Sequence, residues 1–344
     1  MKKSNLKILY AIQGTGNGHL ARATEIVPML NKLGETDVLV SGIQGDIQLP
    51  FPVKYHFYGL SFIFGKKGGV SLWQTVRRSR PIRLLRDILN LPVNDYDLVI
   101  CDFEPVTAWA CRLRGKRCIG LSHQNAVLHS RSPKPAHRDL VGRFILKYYS
   151  PATIKYGFHF KALDEKNFTP VIRPDIRKKK PTNKGHYTVY LPAYSNEEIE
   201  LVLSQFPQYN WEVFSKHSKE NYHKGSIWFR PVSLNDFSES FVSCAGILCT
   251  AGFETPAEAI YMGKKLCVIP MKKQYEQACN AAFVGNMGIR VLTNWHDSQS
   301  QIADWLQHDE PLKINYPDET FRILERLVED CETELCKKMA ASTD

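Results

Sequence analysis

The sequence predicts an α/β protein made of two doubly wound, parallel-sheet domains. Short apolar runs that are typical of buried strands alternate with amphipathic helical segments, and this alternation favours parallel sheets. The series is interrupted by a segment rich in proline and lysine, residues 171–185, and then starts again. At 344 residues the chain is also too long for a single hydrophobic core, and its length suits two domains of roughly 150 to 170 residues each.

We therefore expect an N-terminal domain over residues 1–170, a linker over 171–185 and a C-terminal domain over 186–317. Buried strands are predicted in the first domain at residues 6–12, 36–42, 96–102 and 116–124. In the second domain they are predicted at residues 186–192, 211–215, 226–231, 245–250 and 265–270. The last segment, residues 318–344, is predicted as an amphipathic helix that packs back toward the first domain.

The composition is that of a soluble globular protein, with 43% hydrophobic and 23% charged residues. The sequence contains no run of 18 apolar residues, and its first residues lack the pattern of an export signal. The nine cysteines are scattered, without a CxxC pair or a zinc-ligand spacing. We therefore expect reduced thiols, a cytoplasmic location, and no metal ion or other cofactor.

Positive charge is concentrated in the first half of the chain. Residues 1–150 contain 22 Lys and Arg against 10 Asp and Glu, whereas the remainder contains 23 against 25. Such a field favours an anionic partner: nucleic acid, a membrane surface or a phosphorylated acceptor. Within this half, residues 66–89 interleave arginines with leucines. This pattern predicts either a helix with one packed and one solvated face, or a surface for an acceptor phosphate or anionic lipid.

The segment 249–280 has the most informative pattern in the chain. It reads as a strand end, a glycine turn at Gly252, a helix, a buried strand and a second helix. Thr255 and Glu258 have the spacing of a capping box, with Pro256 at the first helical position. The free N–H groups of this helix would face the crevice at the carboxyl edge of the sheet, where a diphosphate would bind.

Polar side chains in the same segment suggest a sugar ligand. Glu258 has two interpretations: it completes the capping box, or it accepts hydrogen bonds from ribose hydroxyls. Gln274, Gln277 and Asn280 recur at helical spacing, and amides both donate and accept hydrogen bonds as sugar hydroxyls require. A bound sugar explains these amides better than an exposed polar face does.

In the first domain, GTGNGH at residues 14–19 follows a predicted strand. It is not a dinucleotide fingerprint, because His19 occupies the position of the third glycine and the strand ending near residue 42 lacks a terminal acid. One interpretation is a simple glycine turn into a helix. The other is that Gly16 and Gly18 let an acceptor approach the backbone while His19 serves as a base.

Two further polar motifs follow strands of the first domain. In CDFEP, Asp102 or Glu104 would orient His19 or act as a base, or the acid simply caps the helix that begins after Pro105. In SHQN, His123 would lie on the same sheet edge, on the acceptor side. Asp95 and Asp97 precede a strand instead of ending one, which argues against a metal role.

At this point the residues match a known family. AGFETPAEAIYMGKKLCVIPMKKQYEQACNA, residues 251–281, resembles the donor signature of GT-B glycosyltransferases, in particular the family 28 type. That type includes the N-acetylglucosaminyltransferase that makes lipid II, and relatives described as teichoic-acid or monoglycosyldiacylglycerol synthases. GTGNGHLARA, residues 14–23, resembles the N-terminal GGxGGH loop of the same group. The resemblance implies two facing Rossmann-like domains and inverting sugar transfer from a nucleotide-sugar, with UDP expected, to an acceptor hydroxyl.

The resemblance also implies roles for individual residues. His19, with Asp102 or Glu104, would act on the acceptor. Four residues of the helix start would approach the diphosphate: Gly252, Phe253, Glu254 and Thr255. The remaining donor contacts would be Glu258 to the ribose, Gln277 and Asn280 to the sugar, Arg230 near the nucleobase, and Ser195 near a phosphate. Ser195 is also predicted to cap a helix, with Glu198 three residues later.

The acceptor is expected to be lipid-linked, a glycan or a small molecule, with an anionic membrane surface as one further partner and nucleic acid disfavoured. Two other functions remain open at this level. A nucleotide-sugar epimerase shares the fold and needs no acceptor. A non-enzymatic anion or nucleic-acid binder would explain the basic half, but it would leave the capped pocket and the amides without a role.

Overall fold

The computed structural model describes residues 5–42, 48–60 and 80–341 and confirms two parallel-sheet α/β domains. The sheet of the first domain has seven parallel strands in the order β3-β2-β1-β4-β5-β6-β7. These strands are β1 (Lys7–Gln13), β2 (Glu35–Ser41), β3 (Tyr55–Phe57), β4 (Leu98–Asp102), β5 (Ile119–Leu121), β6 (Ile154–Phe158) and β7 (Asn167–Phe168). The predicted strands of this half agree with β1, β2, β4 and β5 to within a few residues.

Helices cover both faces of this sheet. They are α1 (Asn17–Leu33), α2 (Pro81–Asn90), α3 (Pro105–Leu113), α4 (His123–Val127) and α5 (Leu140–Tyr148), with a 3₁₀ turn at Val93–Asp95. The central strands are apolar on both sides, since every residue of β4 and all but the first of β1 are buried. Such strands need helices on both faces, which is why the domain is doubly wound.

The second domain repeats this plan after the connecting segment. Its sheet has the order β10-β11-β9-β8-β12-β13-β14 and is parallel except for β10. The strands are β8 (His186–Tyr190), β9 (Asn210–Ser215), β10 (Tyr222–Lys224), β11 (Ile227–Pro231), β12 (Gly246–Thr250), β13 (Lys265–Ile269) and β14 (Arg290–Val291). After α6 (Pro174–Lys178), its helices are α7 (Asn196–Leu203), α8 (Leu234–Ser243), α9 (Glu254–Met262), α10 (Tyr275–Asn286) and α11 (Gln299–His308).

The connecting segment is partly packed into the protein. Val171, Ile172 and Ile176 are buried in the main apolar cluster, and that cluster contains residues of both domains. The final helix, α12 (Thr320–Ala341), packs on α1 of the first domain, as predicted. The two domains are therefore joined by apolar packing at the connecting segment and at α12.

The strand order of each sheet reverses at one point. In the first sheet the reversal lies between β1 and β4, and in the second it lies between β8 and β12. Loops that leave two such strands in opposite directions open a crevice at the carboxyl edge of the sheet. The segments after these four strands are therefore the places in this fold where a ligand is expected.

Three other predictions concern the cysteines, membrane spans and the segment 66–89. The eight described cysteines are buried and unbridged. No helix in the described ranges is long and apolar enough to cross a membrane. The part of segment 66–89 that precedes Arg80 lies outside the described residues, whereas the remainder forms α2.

Candidate active site

The crevices of the two sheets meet in one cavity of about 610 Å³, a size typical of small-ligand sites. From the first domain its lining includes Gly16, Gly18, His19, Arg22, His123 and Gln124. From the second it includes Gly252, Phe253, Glu254, Thr255, Gln274 and Gln277. The structure thus brings together most of the residues that the sequence assigned to the acceptor and to the donor.

Gly16 and Gly18 shape the entry into α1. Gly16 has a φ of 96°, a left-handed conformation that favours glycine. A Cβ atom on Gly18 would lie 3.2 Å from Cγ of Glu254, which belongs to the other domain. The loop therefore approaches the second domain closely, and the first turn of α1 opens toward the cavity.

Asp102, at the end of β4, is the partner of His19. Its Oδ1 lies 2.8 Å from Nδ1 of His19, and it is fully buried. Arg22 donates to both carboxylate oxygens, with Nε to Oδ2 at 3.0 Å and Nη2 to Oδ1 at 2.7 Å. Burial opposes ionisation of Asp102, but the charges of Arg22 and His19 outweigh it and lower the pKa to about 2. Asp102 is therefore a fixed anion beneath the imidazole.

Glu104 does not contact His19. It is the N-cap of α3, where its carboxylate accepts hydrogen bonds from the N–H groups of Val106 and Thr107, both at 2.6 Å, and from the hydroxyl of Ser41 at 2.6 Å. It is fully buried and is not among the described residues that line the cavity. The alternative in which this acid caps a helix thus describes Glu104, and Asp102 remains as the candidate that orients His19.

Phe103 separates these two acids with a strained backbone. Its φ of 55° is left-handed, which costs a non-glycine residue on the order of 1 kcal/mol or more. Its ring stacks on Tyr149 at 4.8 Å and lies parallel to the His19 imidazole at 6.4 Å. The strained turn separates the two acids, so that Asp102 contacts His19 while Glu104 caps α3.

The predicted capping box at the start of α9 is wrong. The helix begins at Glu254, one residue before Thr255, and no side chain caps it. Glu258 instead accepts two hydrogen bonds from Arg173, at 2.7 and 2.8 Å, and is buried. A bidentate guanidinium satisfies a buried carboxylate better than one backbone N–H does, because both of its oxygens gain a charged donor. The N–H groups at the start of α9 are left to face the cavity.

Glu254 joins the two domains through Arg22. Its carboxylate forms an ion pair with the Nη1 group of Arg22, the same guanidinium that holds Asp102. Burial raises the pKa of Glu254 to about 7, against the opposing charge of Arg22. Two carboxylates thus share one guanidinium, and the raised pKa of Glu254 limits the excess of negative charge beside His19.

The three amide side chains predicted to share one helix face, those of Gln274, Gln277 and Asn280, have different surroundings in the structure. Gln274 caps α10 by accepting from the N–H of Gln277 at 2.8 Å, while the Gln277 side chain accepts from the N–H of Met271 at 2.9 Å. Asn280 is fully buried, with contacts to His123 at 2.7 Å and to the Ala251 carbonyl at 3.1 Å. The prediction that Asn280 faces a donor is wrong because a spacing of three residues drifts about 60° around a helix at each step.

His123 lies where the domains meet. Its ring stacks on Phe253 of the second domain at 3.8 Å, and Nδ1 lies 2.8 Å from the Phe158 carbonyl oxygen. Burial lowers the pKa of His123, which favours a neutral ring. It lines the cavity, and its role on the acceptor side remains a prediction.

Two of the predicted donor residues lie away from the described lining of the cavity. Arg230 forms ion pairs with Glu212 at 3.1 Å and Asp236 at 3.3 Å, and its guanidinium lies over the Trp228 ring. Ser195 forms the predicted capping box with Glu198 at the start of α7. Both side chains contact their own domain, and their contacts with a nucleotide remain predictions.

Sequence reasoning missed several charged residues of the cavity. Arg22 is three residues after His19 on α1, so helical spacing alone places it on the same face. Arg173 was missed because the proline- and lysine-rich segment that contains it was predicted to be a linker. Lys216 and Lys273 line the cavity from the second domain, and Lys273 has a left-handed φ of 61°. No sequence signal marks these two lysines as site residues.

Two facing Rossmann-like domains with one cavity at both strand-order reversals define the GT-B class of glycosyltransferases. The chain belongs to the family described as Glycosyl transferase family 1, whose model matches residues 6–308. The protein is therefore a glycosyltransferase. No curated relative matches the sequence.

Solved structures agree with this fold. The chain is similar to the spinosyn forosaminyltransferase SpnP, at 12% identity and a TM-score of 0.56, covering 98% of this chain and 100% of that one. It is also similar to MurG of Acinetobacter baumannii, at 14% identity and 0.53, covering 95% and 100%. A UDP-glucosyltransferase from Polygonum tinctorium gives 14% identity and 0.58, covering 97% and 94%. At these identities the likeness concerns the fold alone.

Proposed function

We propose that the protein transfers a sugar from a nucleotide-diphosphate donor, with UDP as the expected nucleotide, to an acceptor hydroxyl, inverting the anomeric carbon without a metal ion. The observation that carries this proposal is that His19 with Asp102 and the start of α9 face each other across one cavity. The pair supplies a base, and the helix N-terminus supplies a site for an anionic leaving group.

His19 is the proposed base. When Nδ1–H donates to Asp102, Nε2 carries the lone pair and accepts a hydrogen bond from the Gln124 amide at 3.2 Å, a partner that the acceptor hydroxyl would replace. Nε2 would accept the acceptor's hydroxyl proton as the acceptor oxygen bonds to the anomeric carbon. Asp102 would hold the imidazole in this tautomer and orientation while the proton is transferred.

The leaving group is the nucleoside diphosphate. As the new bond forms, the bond from the anomeric carbon to the diphosphate oxygen breaks, and its electron pair leaves with the diphosphate. The backbone N–H groups of the first turn of α9 and the hydroxyl of Thr255 would stabilise this charge, with Lys273 adding a cation. With base and leaving group on opposite domains, a single displacement inverts the anomeric carbon.

The remaining donor contacts belong to this proposal as well. Gln274 and Gln277 line the cavity and carry amide nitrogens suited to sugar hydroxyls. Glu258 lines the cavity too, so a ribose contact would use a carboxylate that Arg173 already holds. UDP is the nucleotide that the resemblance of residues 251–281 implies. Membership of the family 28 type remains a prediction from residues 14–23 and 251–281.

A thermal-shift panel of UDP-, dTDP- and GDP-sugars tests the donor part of the proposal. We expect a UDP-sugar to raise the melting temperature most, because a ligand at 100 times its Kd stabilises the folded state by about 2.7 kcal/mol. Free sugars without nucleotide are the matched controls. If no nucleotide-sugar raises the melting temperature, the proposal is contradicted. A DNA gel shift in the same case would favour a non-enzymatic nucleic-acid-binding protein.

Mass spectrometry of the products then separates transfer from epimerisation. With the donor identified, the proposal predicts that a hydroxyl acceptor gains one sugar while one nucleoside diphosphate is released. Conversion of one nucleotide-sugar into another, with no acceptor added, would instead favour an epimerase.

A further inference from the structure

The Gln124 side chain, on α4, links His19 to the second domain. Its amide nitrogen lies 3.2 Å from Nε2 of His19 and donates to Oε2 of Glu276, on α10, at 2.9 Å. Gln124 is buried, and both Gln124 and Glu276 line the cavity. The amide therefore lies between the imidazole of one domain and a carboxylate of the other.

Glu276 determines which end of the Gln124 amide faces it. A carboxylate only accepts hydrogen bonds, so the NH2 group of the amide must point toward it. If the amide turned by 180°, its oxygen would face Oε2 of Glu276, and two acceptors repel each other. Oε1 of Gln124 has no hydrogen-bond partner among the described residues. The orientation of the amide is therefore held by the contacts of its nitrogen.

The oriented amide in turn determines which nitrogen of His19 carries the proton. The NH2 group has two hydrogens, so one can reach Glu276 and the other His19. A donor beside Nε2 requires a lone pair on that atom. In a neutral ring the proton is then on Nδ1, because the other tautomer would set Nε2–H against the N–H of the amide.

At Nδ1 two neighbours have opposite effects. Oδ1 of Asp102 lies 2.8 Å from Nδ1 and only accepts, which favours a proton on Nδ1. Nη2 of Arg22 lies 3.1 Å from the same nitrogen and only donates, which favours a lone pair there. Because these two neighbours oppose each other, the partner of Nε2 contributes to the choice of tautomer.

We propose that Gln124 is a positioning residue that keeps His19 in the tautomer of a general base, and that Glu276 fixes the orientation of Gln124. This inference rests on the proposed function, since it takes His19 as the base. The acceptor hydroxyl would replace the amide at an Nε2 that already lacks a proton. The hydrogen bond between Gln124 and Glu276 joins the two domains, so the tautomer depends on their contact.

The tautomer of His19 can be measured without any assay of activity. A ring nitrogen that carries a proton differs widely in ¹⁵N chemical shift from one that does not. The intact protein is labelled with ¹⁵N-histidine and studied at alkaline pH, where imidazole rings are neutral. His19→Ala identifies which of the 11 histidine signals belongs to His19. We expect the proton mainly on Nδ1, and a proton mainly on Nε2 would overturn the proposal.

Two variants test the two contacts of the amide. Gln124→Met removes the donor and keeps a side chain of similar length. Glu276→Gln keeps the shape of the side chain but removes the carboxylate, so the Gln124 amide is free to turn. We expect each variant to raise the ratio of Nε2–H to Nδ1–H by about tenfold, because the loss of one hydrogen bond of ordinary strength shifts an equilibrium by about that factor.

Glu276→Gln is the sharper variant, because the described residues show no hydrogen bond between Glu276 and His19. The control is Gln205→Met, which removes an exposed amide just after α7 and should leave the ratio unchanged. Unchanged melting temperatures establish that the variants fold. An unchanged ratio in either Gln124→Met or Glu276→Gln would overturn the proposal. Failure of the proposed function would differ, since it would appear as full sugar transfer by His19→Ala whatever the tautomer.

Discussion

The two domains share one fold but meet the cavity with different chemistry. The first presents charged and titratable side chains, with His19 and Arg22 arranged around Asp102. The second presents the backbone N–H groups of α9 and the amides of Gln274 and Gln277, together with the charged side chains of Glu254, Lys216 and Lys273. Activation of a hydroxyl requires a group that changes protonation, whereas a sugar diphosphate needs donors of fixed geometry. Variants of the first domain should therefore change rates, and those of the second should mainly change binding or stability.

The two acids after β4 give the largest predicted contrast. Asp102→Asn should reduce the rate of transfer by roughly 10²- to 10⁴-fold, because the imidazole loses the anion that fixes its tautomer. Glu104→Gln should leave the rate per folded molecule nearly unchanged while lowering the free energy of unfolding by about 1 to 3 kcal/mol. Initial rates and urea denaturation of both variants check this, and equal rate losses would contradict the assignment of Asp102 over Glu104.

The ion pair between Arg173 of the connecting segment and Glu258 of α9 should contribute strongly to stability. Each is buried, so Arg173→Met alone should destabilise the protein by about 3 to 5 kcal/mol by leaving a buried charge unpaired. Replacing both residues by methionine should recover most of that loss. Urea unfolding of the two single variants and the double variant measures the coupling. Additive losses in the double variant would show that the pair does not act as a unit.

Stability should depend on pH through Glu254. Its pKa rises from an ordinary value of 4.5 to about 7 on folding, so the folded state binds the proton more tightly. The resulting stabilisation is present below about pH 4.5 and is lost as the pH rises to 7, by up to about 3 kcal/mol at 1.36 kcal/mol per unit. Asp102 has a lowered pKa, so its contribution to stability is lost only as the pH falls below about 4.

Glu254→Gln tests that dependence on pH. The variant should flatten the profile of unfolding free energy between pH 4.5 and 7. Thermal unfolding across this range checks it, with Glu239→Gln on α8 as the control, because Glu239 is exposed and is not among the charges that shift the pKa of Glu254. An unchanged slope in the Glu254 variant would show that another group titrates.

The smallest effect is expected at Ser195. Because its hydroxyl caps α7 and does not face the described cavity, Ser195→Ala should cost about 1 kcal/mol of stability and leave donor affinity unchanged. Chemical denaturation and titration with the donor measure the two quantities. A loss of donor affinity without a loss of stability would restore Ser195 to the phosphate site.

The fold was predictable because its signals are local. Apolar runs identified β1, β4, β8 and β12, whose ends define the cavity. His19 and Asp102 were found because His19 follows β1 and Asp102 ends β4. Metal independence and the cytoplasmic location remain predictions.

The contacts between distant segments were not predictable from the sequence. Arg173 lies 85 residues from Glu258, and Arg22 lies 232 residues from Glu254. Local spacing therefore assigned Glu258 to a capping box that the tertiary structure replaces with an ion pair.

The central claim is that His19 is the base, and its most direct test is sugar transfer by His19→Ala. With the donor found in the thermal-shift panel, product formation is followed by mass spectrometry, and donor affinity is measured in parallel. We predict a loss of transfer of about 10²- to 10⁴-fold with donor affinity nearly unchanged, because the donor is held mainly by the second domain. Transfer at the wild-type rate by His19→Ala would contradict this account of the site.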